Sequence, residues 1–189
     1  LTPDEAPAIG DVLVAAGFTL IEVPLNSPDP LASIRLLVDR IGDQAMVGAG
    51  TVLHPDQVGD VAAAGGTLIV SPNTDPTVIR ATVAAGLISL PGFFTPTEAF
   101  AALAAGAHGL KLFPAEAAGP AGLRAQRAVL PRDVPMLAVG GIEPDSLAPW
   151  RAAGADGFGI GSSLYRPGKP ADQVLRDAGL FVSSYRELR

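Results

Sequence analysis

A (β/α)8 barrel whose first strand is missing from this chain is the fold the sequence predicts, on three observations. A short unit recurs, strand-like apolar runs alternate with alanine-rich helical segments, and the chain opens on a helix start. The unit shows as "AAGFTLIEVPL", "AAGGTLIVSPN", "AAGLISLPGF", "AAGAHGLKLFPA" and "AAGADGFGIGSS", beginning at Ala15, Ala63, Ala84, Ala104 and Ala152. In each, a helix ends at a glycine, which suits the left-handed position after a helix C-terminus. Those glycines stand at 17, 65, 86, 106 and 154, with spacings of 48, 21, 20 and 48. Each spacing of 48 therefore holds two units, and the hidden ones are "AMVGAGTV" from Ala45 and "PMLAVGG" from Pro135.

Seven strands then alternate with amphipathic helices such as "PTEAFAALAAG" (96–106) and "PDSLAPWRAAG" (144–154). Alternation with short loops means parallel strands in βαβ units. The opening "LTPDEA" reads as a helix start, with Thr2 as N-cap, Pro3 at the first helical position and Glu5 two further on. A helix that opens the chain has no strand to feed it, hence the expectation that the first strand is absent. A doubly wound open sheet is the alternative, but no "GxGxxG" opens a helix after an early strand. Residues 1–189 read as one domain with a sizeable core.

Composition narrows the function. Hydrophobic residues make up 48% and charged residues 17%, which speaks against disorder. Net charge is −6, no basic run occurs and aromatics are 5%, so neither nucleic acid nor an anionic membrane is an expected partner. There is no cysteine, hence no disulfide framework and no thiolate metal site. No apolar run approaches the roughly 18 residues of a membrane span, and the N-terminus has neither a basic nor an apolar signal region. A cytoplasmic protein is expected.

The chain has only two lysines, and one of them, Lys111, lies in the apolar strand "GLKLFPAE". By alternation Leu110 and Leu112 face the helices while Lys111 and Phe113 face the lumen. Barrel enzymes work at the C-terminal ends of their strands. There a dry lumen would lower the lysine pKa and leave a neutral amine able to attack a carbonyl and form a Schiff base. The plainer alternative is a lysine that snorkels out of the barrel mouth. In "TLIEVPL", Ile21 and Val23 face outward and Glu22 faces the lumen with Leu20 and Pro24. Glu22 is either a structural ion-pair partner of Lys111 or a proton shuttle whose pKa is raised by apolar surroundings. The other lysine, Lys169, lies in the turn-like "RPGKP".

Glycine loops follow the last two strands, "VGG" (139–141) and "GIGSS" (159–163). Such loops either bind phosphate through backbone N–H groups or merely close tight turns. His54 and His108 are the only histidines, both expected at the surface with no neighbours that would complete a metal site.

Taken in order, "GAGTVL", "IVSPN", "LKLFPAE", "AVGG" and "GSSLY" resemble the class I aldolases that cleave 2-keto-3-deoxy-6-phosphosugar acids, the KDPG/KHG aldolase family. "EVPLNSP" with "AVGG" is most similar to its 6-phosphogalactonate branch, whereas the 6-phosphogluconate branch typically has "EVTLR" and "TGG". The resemblance implies a (β/α)8 barrel, usually trimeric, that makes pyruvate and glyceraldehyde 3-phosphate; no cofactor is expected, and the lack of a metal cluster around the histidines leaves the imine route. It implies Lys111 as the Schiff-base lysine and Glu22 as the catalytic glutamate. Thr51, Pro72 and Phe113 match substrate-contacting positions, and Gly140, Gly141, Gly161 and Ser162 match the phosphate loops. Val139 and Asn26 stand where the branches differ, and a valine cannot hydrogen-bond the C4 hydroxyl as a threonine could. One departure is the arginine near "LRG" that the family's first strand usually carries, absent here. The competing readings are the 6-phosphogluconate aldolase or an enzyme taking both epimers, a phosphosugar isomerase or epimerase barrel, and a non-catalytic phosphosugar-binding protein.

Overall fold

The computed structural model describes residues 1–188. Its strands are β1 (Leu20–Pro24), β2 (Met46–Gly50), β3 (Leu68–Val70), β4 (Ile88–Leu90), β5 (Gly92–Phe93), β6 (Leu110–Leu112), β7 (Met136–Val139) and β8 (Gly157–Gly159). Every paired neighbour is parallel, in the order β1-β2-β3-β4 and β5-β6-β7-β8. The split falls at Pro91, inside the single run 88–93, because proline has no N–H for the ladder. Its carbonyl still accepts from the Lys111 N–H at 2.9 Å, and the Ser89 carbonyl from the His108 N–H at 3.0 Å. Seven strands thus curve continuously around a lumen, with β1 and β8 as edges.

Helices fill the connections: α1 (Ala6–Ala16), α2 (Pro30–Ile41), α3 (Pro55–Ala63), α4 (Pro76–Ala84), α5 (Pro96–Ala104), α6 (Ala115–Arg127), α7 (Leu147–Ala153) and α8 (Ala171–Arg186). The expected helix over 96–106 is α5, opened by a capping box in which Glu98 accepts from the Thr95 N–H at 2.7 Å. The expected helix over 144–154 begins instead with a 3-10 turn, Pro144–Ser146, before α7. All five repeat glycines are left-handed, with φ between 72° and 109°. Among the described residues no helix is long and apolar enough to cross a membrane.

Strand alternation sorts the core. Ile21 and Val23 are buried with Ile34, Leu37 and Ile41 of α2, and Leu110 and Leu112 are buried with Leu123 of α6 and Met136 of β7. Next to the β1 edge, α1 approaches α2 through Gly10, where a Cβ would collide with the Leu37 side chain. The lumen opens toward α1, whose Ile9, Gly10 and Leu13 line it.

The start of α1 is tied to the far end of the chain. Residues 2–5 form a turn and regular helix begins at Ala6, later than the N-cap expected at Thr2. Glu5 nonetheless reaches back as a capping glutamate does, accepting from the Thr2 N–H and hydroxyl, both at 2.9 Å. The same carboxylate accepts from the Tyr165 hydroxyl at 3.0 Å and the Gly168 N–H at 3.2 Å. Led by the bonds from Thr2, these donors hold its pKa down at about 2, against an ordinary 4.5. Burial and the Glu5 carboxylate push the Tyr165 hydroxyl up to about 12.

A carboxyl with a depressed folded-state pKa stabilises fully above its unfolded value and loses that contribution as pH falls through the folded one. Wild type should therefore exceed Glu5→Gln in urea midpoint by a constant margin above about pH 5.5. The margin should close as pH falls toward about 2. A margin independent of pH between 6 and 2.5 would show that the ionised carboxylate is not what ties the loop.

Candidate active site

Two short strands set the chemistry. In β6 the leucines flanking Lys111 are fully buried against helices, which turns the lysine to the lumen, where it is 8% exposed. Its Nζ lies 4.7 Å from the Phe113 ring centroid, a cation–π distance. In β1, Glu22 points to the same lumen beside Leu20 and Pro24. Its carboxylate rests on Gly50 at the end of β2, where any Cβ would overlap it. That glycine gives the acid its seat.

Both groups face a cavity of about 540 Å³. Its walls are apolar, with Leu68, Val70, Leu90 and Leu137 among them. Glu22 keeps accessible surface on this cavity, while the apolar walls around it desolvate its carboxylate. Burial lowers the Lys111 pKa, opposed by the charge of Glu22. Burial raises the Glu22 pKa, opposed by the charge of Lys111. Desolvation leads in each case, so both groups move toward neutrality. Among the described residues no direct ion pair joins them. They act on each other through their charges while both line one cavity.

Val139, Gly161 and Ser162 line the same cavity. Val139 leans on Gly159 of β8, where a Cβ would strike it. Thr51, Pro72, Phe113, Asn26, Gly140 and Gly141 are not among the lining residues but stand around it. Thr51 follows Gly50 and is left-handed with φ 57°, a strained backbone for a β-branched residue that concentrates at functional sites. The Pro72 carbonyl presses on Gly92, the register partner of Lys111. Asn26 precedes Ser27, which does line the cavity. Gly140 and Gly141, with φ of 106° and 65°, lie over Pro114 and Glu116 at the start of α6.

The loop after β8 carries residues to which the sequence pattern assigns no role in the site. Tyr165 and Arg166 line the cavity. Lys169 is no free turn residue, since its Nζ donates to the Leu164 carbonyl at 2.6 Å and pairs with Asp177 at 2.5 Å. The histidines lie outside the cavity lining. His54 precedes α3, and the exposed His108 accepts from the Ser89 N–H through Nδ1 at 3.1 Å.

An amine shifted toward its neutral form can attack a carbonyl, and a carboxyl shifted toward ordinary pH can give and take protons. Known proteins point the same way. A family model described as "KDPG and KHG aldolase" matches residues 2–173. The 2-dehydro-3-deoxy-6-phosphogalactonate aldolase of Escherichia coli K12 is 49% identical over 187 residues, 99% of this chain and 91% of that protein. The structure described as native KDPGal superposes with a TM-score of 0.98 at 49% identity, over 100% of this chain and 91% of the other. A KDPG aldolase from Legionella pneumophila, with pyruvate captured as a covalent carbinolamine intermediate, superposes with a TM-score of 0.80 at 26% identity. It covers 100% of this chain and 91% of its own.

Because the Glu22 charge raises the Lys111 pKa against desolvation, Glu22→Gln should lower it further. The pH dependence of Lys111 reductive methylation, followed by mass spectrometry, reads this directly. A titration unmoved or shifted upward would mean the two groups do not sense each other.

Proposed function

The chain belongs to the KDPG and KHG aldolase family, and we propose that it is a class I aldolase. Its substrate is 2-dehydro-3-deoxy-6-phosphogalactonate and its products are pyruvate and glyceraldehyde 3-phosphate. The observation that carries the reading is Lys111, an amine without an ion-pair partner among the described residues, opposite Glu22 in an apolar-walled cavity.

The Lys111 amine attacks the C2 carbonyl of the open-chain substrate. Glu22 in its acid form gives the proton that lets the carbinolamine lose water, leaving an iminium and a carboxylate. That carboxylate then takes the proton of the C4 hydroxyl. The C3–C4 bond breaks, its electron pair flows into the iminium, and C4 leaves as the aldehyde carbon of glyceraldehyde 3-phosphate. The remaining enamine takes a proton at C3, and water hydrolyses the imine to release pyruvate and the free amine. Each step needs an amine neutral near ordinary pH and an acid that can be reprotonated there, the directions in which burial moves both groups. Thr51, Pro72 and Phe113 shape the carboxylate end. The amides around Gly140, Gly141, Gly161 and Ser162 hold the phosphate. All of residues 1–189 act as one catalytic domain.

The galactonate epimer is favoured by Val139 and by the 49% identity to the Escherichia coli aldolase, whose name carries that substrate. The two epimers differ only in the direction of the C4 hydroxyl. A valine at the lumen leaves room for it without bonding it, so discrimination is expected to be modest rather than absolute. A homotrimer in the cytoplasm completes the proposal. Exposed Phe94 and Phe100 are apolar surface that such an assembly would cover.

Incubation with pyruvate and borohydride should add a reduced pyruvyl group to Lys111, read by mass spectrometry. Lys111→Arg should show no adduct and lose at least about a thousandfold in kcat, since arginine stays protonated. Wild-type protein that traps nothing would remove the imine reading.

Comparison of kcat/KM for the two epimers decides the sugar. A moderate preference for the galactonate is expected. A tenfold or greater preference for the gluconate epimer would overturn the substrate and leave the imine chemistry standing.

A further inference from the structure

The loop between β8 and α8 is fastened on several sides, yet it carries one charged side chain fastened at one atom only. Ser163 donates to the Ile142 carbonyl at 2.9 Å, joining the loop to the turn after β7. Tyr165 and Gly168 are held by Glu5, and Lys169 by Leu164 and Asp177. Arg166 stands among these anchors. Its Nε donates to the Ser162 carbonyl at 3.1 Å. No carboxylate partners it among the described residues. The anchor leaves the two terminal nitrogens unused and fixes the guanidinium beside Ser162.

Three charged side chains line the cavity, and they are Glu22, Lys111 and Arg166. Lys111 belongs to the reacting carbon, so Arg166 is the lining cation left for a charge elsewhere on the substrate. Gly161 adds an independent hint. Its backbone is not left-handed, and a Cβ built on it would meet nothing within 4 Å. The fold does not demand glycine there, so the bare backbone leaves space for something to approach the amides closely. A phosphate seated at Gly161 and Ser162 would lie beside a guanidinium already tethered to Ser162.

We propose that Arg166 is a substrate-binding residue that contacts the phosphate end of the substrate through its terminal N–H groups. Arg166 is exposed, but the bond from its Nε to the Ser162 carbonyl restrains it, so less side-chain freedom is lost on binding. This rests on the aldolase reading above. The protein carries a net charge of −6, so it attracts no anion from a distance. A tethered guanidinium, with its planar set of donors, supplies the local countercharge that backbone amides cannot.

The test compares the phosphorylated substrate with the same keto-deoxy acid lacking its phosphate. Arg166→Gln should lower kcat/KM on the phosphorylated substrate by about 10- to 100-fold, chiefly through KM. The loss on the unphosphorylated acid should be at least about tenfold smaller, and Arg166→Lys should recover part of it. Calorimetry with glyceraldehyde 3-phosphate reads the same contact without turnover, and its Kd should rise in Arg166→Gln by a similar factor. Equal losses on both substrates, or an unchanged Kd, would overturn the assignment. Failure of wild type to trap pyruvate on Lys111 would remove the aldolase reading instead. In that case the calorimetry still decides whether Arg166 meets a phosphate.

Discussion

The opposition of Lys111 and Glu22 across an apolar lumen is the constraint that the remaining structure accommodates. Either charge alone in such a place is costly to desolvate. Together, without touching, they share a partly relieved penalty that moves each toward neutrality. A tight salt bridge would have relieved more of that penalty, but it would have kept the amine protonated and occupied. On the proposed mechanism the separation preserves the nucleophilicity of Lys111 at the expense of stability, a common arrangement at active sites.

Several local features follow from holding that separation. Gly50 carries no Cβ because the Glu22 carboxylate occupies the space, and Gly92 carries none because the Pro72 backbone presses there. Pro91 interrupts the ladder beside Lys111 while its carbonyl still holds the Lys111 N–H. Phe113 places its ring face near the amine, favouring whatever positive charge develops on that nitrogen. The strained Thr51 backbone closes the same rim directly after the seat of Glu22.

Period-two reasoning along "LKL" and "LIEVP" was enough to turn Lys111 and Glu22 inward, because the burial of Leu110, Leu112, Ile21 and Val23 leaves no other register. The repeat glycines disclosed the helix ends for a similar reason, since left-handed backbone favours glycine. Other features depend on contacts between residues far apart in the chain and leave no local trace. The Glu5–Tyr165 bond spans 160 residues. Lys169 read as a surface turn residue because nothing near it in sequence announces Asp177 on α8. Arg127 likewise looks like an ordinary helix-end arginine. In the fold it donates to the Gly154 and Val134 carbonyls and pairs with Asp156, clamping α6 to the turn after α7. In α6 the backbone breaks at Gly119, with φ 67° and ψ 167°, just before Pro120.

An acidic protein whose substrate is an anion has to separate attraction at a distance from recognition at contact. Screening over about 10 Å at ordinary ionic strength weakens the long-range repulsion. Contact must therefore be made by groups already aimed, because each flexible side chain fixed on binding costs free energy. The structure meets this with fixed backbone at the ends of β7 and β8 and with a loop bonded to α1, to the turn after β7 and to α8. The bonds that order that loop come from Glu5, Ser163 and Lys169, none of which needs to touch the substrate. On the proposed reading, their arrangement lets a chain of net negative charge present one placed cation to a phosphorylated acid. The charge needed is small when its position is fixed before the ligand arrives.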